Sequence, residues 1–199
     1  MSPLDPLFQS LEEHGWAVSD SLIPVDWQQT LLQMGQQLWH EGRFHPAHIG
    51  RQANTLLHPD IRGDSICWID AHSPPGHHPF FDWLAQFRQA LNARYYLGLR
   101  RHECHFARYE PGRGYARHID QHRGTVYRKI SVVLYLNPQW RQEDGGELCV
   151  YENDDGNAHR VSPTPGRLAV FRSDSIPHEV LPARQTRWSL TGWLRTDDE

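Results

Sequence analysis

The chain has 199 residues, a net charge of −4 with neutral histidines, and three scattered cysteines. Its length fits one domain with a sizeable core, and the acidic balance disfavours a nucleic-acid surface. The odd cysteine number disfavours a disulfide framework, and neither a membrane-spanning run nor a signal peptide is visible. We therefore expect one domain over residues 1–199, in a cytoplasmic protein that binds neither nucleic acid nor membrane. The sequence leaves the oligomeric state open, with a monomer favoured.

The first hundred residues predict helices that support a sheet. Residues 25–40 carry an apolar side at helical spacing, with Asp26 as the candidate N-cap. Residues 79–97 carry aromatic and leucine residues at the same spacing, which is typical of packing against a core. Between them, the polar residues 45–63 predict a long, mobile and exposed loop, followed by a strand around residues 66–69.

From residue 101 onward, short alternating segments separated by Pro, Gly and Asn predict a series of strands. Many short strands at such spacing predict a sandwich or a double-sheet jelly roll, with the helices buttressing one sheet. The fold class expected is mainly β with N-terminal helices, and residues 101–195 form the jelly-roll core. The predicted strands cover residues 101–109, 115–120, 129–137, 146–151, 166–173, 178–183 and 187–195.

His118 and Asp120 are the first candidates for a metal site. The chain has 14 histidines and 14 aspartates in 199 residues, so about one His-x-Asp pair is expected by chance. A second pair does occur, at residues 58–60. That second pair contains a proline in a polar stretch and therefore indicates a loop. Residues 115–120 alternate instead, so both side chains would point to one face of a strand. With His178 they make the two-histidine, one-carboxylate set that binds Fe(II) and leaves positions open.

Arg187 is a candidate for binding a dicarboxylate cosubstrate, and Tyr135 is a candidate for lining the same cavity. Arg187 follows the strand of His178 after a short turn, so the two strands are predicted to form a hairpin. Its planar guanidinium binds a carboxylate bidentately and stays charged. Tyr135 shares a strand face with Ser131 and so is expected to line the cavity. Iron with a chelating dicarboxylate favours oxygen chemistry driven by 2-oxoglutarate.

Six short segments and two later residues carry a resemblance to a known enzyme family. The segments are residues 61–64 (IRGD), 68–70 (WID), 109–120 (YEPGRGYARHID), 134–137 (LYLN), 145–148 (GGEL) and 177–180 (PHEV), with Arg187 and Trp193 at the expected distances. In these the chain resembles the 2-oxoglutarate/Fe(II)-dependent dioxygenases of the prolyl 4-hydroxylase group. It is most similar to the hypoxia-inducible-factor prolyl hydroxylases and their bacterial homologues, over about residues 60–195.

The resemblance implies a double-stranded β-helix (jelly roll) and hydroxylation of a prolyl residue in a protein substrate, with release of succinate and CO2. It implies Fe(II), 2-oxoglutarate and O2 as cofactors and cosubstrates, a stimulatory role for ascorbate, and elongation factor Tu as a candidate substrate. His118, Asp120 and His178 would bind iron, while Arg187, Tyr135 and Tyr109 would bind the cosubstrate. Substrate binding would involve Arg62, Asp64, Arg128 and Trp193.

Other functions are less well matched by these residues. A small-molecule hydroxylase of the same superfamily stays open as an alternative. A nucleic-acid demethylase is disfavoured because Trp193 stands where a second Arg is expected, and a halogenase is disfavoured because Asp120 is present. For a non-redox, cupin-like metal protein, residues 102–105 (HECH) or His77 and His78 could be offered as a zinc site. Neither is a full ligand set at metal spacing, and on a strand His102 and His105 face opposite sides. We interpret them as ordinary strand and loop histidines.

Overall fold

The computed structural model describes residues 2–47, 61–121, 125–152 and 156–198. Within these ranges the chain forms three α-helices and eleven strands. The helices are α1 (Asp5–His14), α2 (Val25–His40) and α3 (Pro79–Tyr95). The strands are β1 (Trp16–Ser19), β2 (His45–Pro46), β3 (Asp64–Trp68), β4 (Arg101–Tyr109), β5 (Tyr115–His118), β6 (Arg128–Tyr135), β7 (Leu148–Val150), β8 (His159–Val161), β9 (Leu168–Arg172), β10 (His178–Val180) and β11 (Arg187–Arg195).

The ends of the helices follow from local sequence. α1 stops at Gly15, whose φ of +77° is accessible to glycine at little cost. α3 starts after His78, whose Nδ1 accepts a hydrogen bond from the Phe80 amide at 3.1 Å, and Pro79 occupies the first helical position. Among the helices described, none combines the length and the apolar content that crossing a bilayer requires.

The described strands form two antiparallel sheets. The larger has seven strands in the order β1-β9-β6-β11-β4-β3-β2, and the smaller has four in the order β5-β10-β7-β8. Mainly antiparallel strands in two sheets, with helices packed on one of them, confirm the predicted fold class, a jelly roll buttressed by helices.

Alternate residues of the larger sheet build two separate cores. On β6, the side chains of Ile130, Val132 and Leu134 pack with the helices in one apolar cluster. Val133 and Tyr135 point to the other side and pack in a second cluster that includes residues of the smaller sheet. The predicted alternation of β6 side chains between the two faces of the sheet is therefore confirmed. The second cluster surrounds the space in which the candidate site residues meet.

Several predicted boundaries agree closely and others are wrong. The bounds predicted for α2, β4 and β11 are those observed, and α3 ends two residues early, at Tyr95. The N-cap of α2 is Pro24, with Asp26 already in the first turn, because the helix starts one residue before that carboxylate. The strands β1, β2 and β8 are too short to produce a detectable alternation.

The predicted hairpin between the strands of His178 and Arg187 is also wrong. β10 belongs to the smaller sheet and β11 to the larger one, so residues 181–186 cross between sheets. A turn of this length is compatible with either connection, and the sequence carries no signal that distinguishes them. Most of the predicted loop over 45–63, including the second His-x-Asp pair, lies outside the described residues.

Candidate functional site

A cavity of about 540 Å³ lies between the two sheets. Its floor is the inner face of the larger sheet, where cross-strand pairs arrange side chains in rows. One row contains Asp64, Tyr109 and Arg187, which are register partners on β3, β4 and β11. The next row along the strands contains Ile66, Ala107, Ser189 and Tyr135. Two further rows follow it, and the members of each are register partners. They are Trp68, His105, Thr191 and Val133, and then Glu103, Trp193, Ser131 and Phe171.

Two histidines and one aspartate meet at this cavity. One ligand atom from each of His118, Asp120 and His178 lies within 4.8 Å of the others, which is compatible with a shared metal ion. His118 and His178 are register partners on β5 and β10, whereas Asp120 lies two residues beyond the end of β5. Among the described residues this is the single cluster of three or more metal-binding side chains.

Backbone carbonyls fix the tautomer of both imidazoles. Nδ1 of His118 lies 2.8 Å from the Ala116 carbonyl oxygen, and Nδ1 of His178 lies 3.0 Å from the Ile176 carbonyl oxygen. Because a carbonyl only accepts hydrogen bonds, each Nδ1 carries the proton and each Nε2 keeps a free lone pair. Both Nε2 atoms are turned toward Asp120, at 3.6 and 3.7 Å from its carboxylate oxygens. Such outer hydrogen bonds are typical of metal-binding histidines.

The protonation of His178 and Asp120 also suits metal ligands. Burial favours the uncharged form and lowers the pKa of His178, although the Asp120 charge opposes this. For Asp120, burial would raise the pKa, but His178, His118 and the Ser131 hydroxyl together hold that pKa far below its usual value. Neutral imidazoles and an ionised carboxylate are the forms that bind a divalent cation. The residues present therefore fit an Fe(II) ion.

An irregularity in β5 places an additional aromatic ring against this cluster. His178 pairs with His118 and Val180 pairs with Tyr115, so two residues of β5 stand opposite one residue of β10. This is the pattern of a β-bulge, which re-aims side chains next to it. As a result Tyr115 and His118, three positions apart, both line the cavity. Their rings are stacked, with centroids 3.6 Å apart and an interplanar angle of 18°.

Arg187 is a buried cation without a carboxylate partner among the described residues. Its side chain is 2% exposed, and Nε donates a hydrogen bond to the Gly146 carbonyl oxygen at 3.0 Å. The guanidinium carbon lies 5.2 Å from the ring centroid of Tyr109 and 5.0 Å from that of Tyr135. A buried charge with no counterion is costly, so this position fits a bound anion at the cavity.

The two tyrosines beside Arg187 are placed differently. Tyr109 lines the cavity, and burial raises the pKa of its hydroxyl, which stays protonated and can donate a hydrogen bond. Tyr135 is fully buried and is not among the residues that line the cavity, contrary to the prediction. Its hydroxyl has no hydrogen-bond partner within the described part of the chain. Its ring fills space beside Arg187 in the inter-sheet core, which explains the difference.

The predicted substrate-binding residues all line the cavity. Arg62 binds Asp64 through two hydrogen bonds, at 2.8 and 3.1 Å, and this carboxylate is buried. At the other end of the floor, Arg128 lies over the Trp193 ring at 3.6 Å and donates to Glu103 at 2.8 Å. Arg62 also lies over the Tyr115 ring, at 4.9 Å from its centroid. Each of the two arginines is therefore held by one carboxylate and one aromatic ring.

His105 is a cavity residue that the sequence reasoning treated as an ordinary strand histidine. It is 1% exposed and packs against Trp68 and Trp193, with centroids at 4.8 and 5.4 Å. His102 instead stacks on Phe81 of α3, so the two histidines do face opposite sides as predicted. The position of His105 could have been predicted from the alternation of β4. His105 and Tyr109 are four residues apart on this strand, so their side chains point to the same face.

Comparisons with known proteins agree with this geometry. A family model for the 2OG-Fe(II) oxygenase superfamily matches residues 104–195. The crystal structure of a Pseudomonas putida prolyl-4-hydroxylase is similar with a TM-score of 0.85 and 39% identity, covering 96% of this chain and 97% of that one. A Trichoplax adhaerens prolyl hydroxylase, solved in complex with a hypoxia inducible factor oxygen degradation domain peptide fragment, gives a TM-score of 0.81 and 29% identity over 96% and 88% of the two chains.

Among curated proteins, Egl nine homolog 1 of Rattus norvegicus is 28% identical over 203 residues, which cover 98% of this chain. This chain spans 60% of the length of the rat protein, and 50% and 47% of the mouse and human proteins of the same name. The similarity to these animal proteins therefore includes nearly all of the chain described here but only part of theirs.

Proposed function

The chain belongs to the 2-oxoglutarate/Fe(II) oxygenase superfamily and within it to the prolyl 4-hydroxylases, and on this premise we propose that it hydroxylates a prolyl residue of a protein substrate. Enzymes of this family use Fe(II), 2-oxoglutarate and O2. The reaction would release succinate and CO2, with ascorbate as a stimulant. The observation that carries the proposal is that one cavity contains both the His118, Asp120 and His178 cluster and the Arg187 guanidinium, which has no carboxylate partner among the described residues.

The proposed ligands of Fe(II) are Nε2 of His118, Nε2 of His178 and a carboxylate oxygen of Asp120. Three protein ligands on one side of the ion would leave three positions open for the cosubstrate and oxygen. When bound, iron and 2-oxoglutarate supply the oxidising chemistry. The chain's contribution is to hold these three side chains in fixed directions, through the carbonyls of Ala116 and Ile176 and the hydroxyl of Ser131.

Arg187 is proposed to bind the far carboxylate of 2-oxoglutarate. Its guanidinium keeps donors that Gly146 does not use, and a charge-assisted bidentate pair with a carboxylate is among the stronger hydrogen-bonded contacts. Although its ring lies in the inter-sheet core, Tyr135 is beside the Arg187 guanidinium and its hydroxyl has no hydrogen-bond partner among the described residues. We propose that this hydroxyl donates to the same carboxylate. Tyr109 would donate a hydrogen bond from the cavity wall. Apolar side chains between the sheets, among them Val133 and Leu148, would exclude water from the cosubstrate.

The open side of the cavity is proposed to receive the protein substrate. Trp68 and Ile119 line the cavity and are 45% and 39% exposed, so they offer apolar contacts at its edge. Arg62, Asp64, Arg128 and Trp193 would position the peptide that carries the target proline. From the resemblance to bacterial relatives we propose elongation factor Tu as the candidate substrate. We also propose that the enzyme is a cytoplasmic monomer.

Mass spectrometry of treated substrate tests this proposal. The purified protein is incubated with Fe(II), 2-oxoglutarate and ascorbate, first with purified elongation factor Tu and then with cell lysate. We expect a prolyl peptide to gain the mass of one oxygen atom, with succinate formed in equal amount. The His118→Ala and Asp120→Ala variants should form neither product. Succinate formation that a free amino acid stimulates and no protein does would indicate a small-molecule hydroxylase instead.

A further inference from the structure

Among the described residues, the ring of Tyr115 is the one aromatic ring that stacks on the imidazole of His118. The ring of His178 also contacts this imidazole, but it is tilted by 56°. Residues three apart on a regular strand face opposite sides, so this contact exists because of the bulge in β5. The bulge is therefore placed where it brings a large ring onto a candidate metal ligand. No step of the proposed reaction requires a tyrosine at this position.

Tyr115 is itself held from a second direction. The guanidinium carbon of Arg62 lies 4.9 Å from the centroid of the Tyr115 ring, and Arg62 is fixed by its two hydrogen bonds to Asp64. The backbone on either side is paired as well. The Gly63 amide donates to the Gly114 carbonyl oxygen at 2.9 Å, and the Ala116 amide donates to the Ile61 carbonyl oxygen at 2.7 Å.

These contacts leave the Tyr115 ring little freedom, and that matters for His118. The hydrogen bond from its Nδ1 to the Ala116 carbonyl oxygen fixes one point of the ring but not its plane. A parallel ring at 3.6 Å restricts rotation about the remaining side-chain torsion. The Nε2 lone pair then keeps one direction before any metal arrives, so less conformational entropy is lost on binding.

We propose that Tyr115 is a positioning residue, whose ring fixes the plane of the His118 imidazole and thereby preorganises the metal site. The inference rests on the proposed iron site and names a further residue on which that site depends. It acts through His118, by contact with that imidazole. The ring is what matters, so phenylalanine should replace tyrosine with little loss.

Metal affinity measured without turnover tests the proposal. Mn(II) binding to the full-length protein is followed by electron paramagnetic resonance, and Co(II) binding by its visible absorption. Tyr115→Leu and Tyr115→Met should weaken Mn(II) binding about tenfold, the lower end of the effect of removing outer-shell support, and should alter the Co(II) spectrum. Tyr115→Phe should restore wild-type affinity and spectrum.

Tyr151→Leu is the matched control. Tyr151 lies under the guanidinium of Arg117 at 3.9 Å, much as Tyr115 contacts Arg62, and follows β7 of the same small sheet. Its ring makes no stacking contact with His118 or His178 in the described structure. Melting of the metal-free variants reports general loosening, and we expect Tyr151→Leu to lower the melting temperature without changing metal affinity.

Three results would overturn the proposal. They are unchanged Mn(II) affinity in both Tyr115→Leu and Tyr115→Met, a Tyr115→Phe variant as weak as Tyr115→Leu, and an equal loss in Tyr151→Leu. Failure of the iron site itself is a separate result, since His118→Ala would then bind Mn(II) as tightly as the wild-type protein does.

Discussion

The hydroxyl of Ser131 donates a hydrogen bond to Oδ2 of Asp120 at 2.6 Å, joining the larger sheet to the carboxylate that lies beyond the end of β5. Ser131 is fully buried and its hydroxyl also lies 2.8 Å from that of Ser173. The carboxylate of the cluster is therefore oriented by a different sheet from the one that carries the two histidines.

Ser131→Ala should weaken metal binding while the fold is kept. Removing the hydroxyl leaves Asp120 without this side-chain donor, and loss of such outer-shell partners typically costs about 10- to 100-fold in metal affinity. Mn(II) titration of the metal-free protein measures the effect. Ser173→Ala is the control, because Ser173 contacts Ser131 but not the carboxylate, and its effect should be smaller. Equal effects of the two substitutions would contradict this assignment.

Arg187→Lys should weaken 2-oxoglutarate binding with metal affinity unchanged. Lysine keeps the charge but loses the planar fork and the Nε hydrogen bond to Gly146. A charge-assisted hydrogen bond contributes about 1.5–3 kcal/mol, so we expect about 10- to 100-fold weaker binding. Calorimetric titration of the Mn(II)-loaded protein with 2-oxoglutarate gives this number.

The stability of an Arg187→Leu variant provides a second check on the same site. In wild-type protein carrying Mn(II), saturating 2-oxoglutarate should raise the melting temperature, because a ligand that binds only the folded state stabilises it. That increase should vanish in Arg187→Leu. An increase of the same size in both proteins would show that the far carboxylate binds elsewhere.

His105→Leu should reduce the loss of stability in mild acid. Burial, and then the Arg62 charge, lower the pKa of His105 from about 6.5 to about 3. Between these values the unfolded chain binds a proton that the folded chain does not, so the free energy of unfolding falls as pH falls below about 6.5. The loss in the free energy of unfolding is about 2 kcal/mol at pH 5, because pH 5 lies about 1.5 units below the pKa of the unfolded chain and each unit corresponds to about 1.36 kcal/mol.

Urea denaturation at pH 8 and pH 5 measures this difference. At pH 8 the histidine is neutral in both states, so wild type and His105→Leu should differ only through packing and the unpartnered Nδ1. The difference in the free energy of unfolding between pH 8 and pH 5 should be smaller in His105→Leu than in wild type, by about 2 kcal/mol. An identical pH dependence of the two proteins would show that His105 gains a proton in the folded state.

Gly192→Ala should destabilise the fold, and Cys104→Ala should recover part of that loss. A Cβ at Gly192 would overlap the Sγ of its register partner Cys104 and would lie 2.8 Å from the Glu103 carbonyl oxygen. Overpacking of this kind costs about 1–3 kcal/mol. A double-mutant cycle by urea denaturation should give a favourable coupling, since each substitution relieves the other. Strictly additive effects would mean that the two sites do not meet.

Residue type and order in the sequence were sufficient to identify the residues that meet at the cavity. His118, Asp120, His178 and Arg187 share one cavity, as predicted, although β5 ends at His118 and the strand predicted over residues 115–120 is two residues too long. Tyr115 was not identified, because its orientation depends on a bulge that changes the parity of β5. Bulges depend on pairing with another strand, which a single segment of sequence does not encode.

The connection between sheets was the other feature beyond the reach of local patterns. A short turn before Arg187 predicted a hairpin, whereas β10 and β11 lie in different sheets. Which partner a strand takes is decided by the whole set of apolar faces, not by the turn. The helix α2, by contrast, depends on its own 3.6-residue periodicity, and its bounds were predicted correctly.

The alternation along β11 limits how this protein can change in evolution. Arg187, Thr191 and Trp193 line the cavity, while the intervening Leu190 and Leu194 pack against the helices. One inserted or deleted residue within the strand would exchange the two sets, moving charged side chains into an apolar core. A one-residue insertion or deletion should therefore be tolerated much less within β11 than in the loops at its two ends.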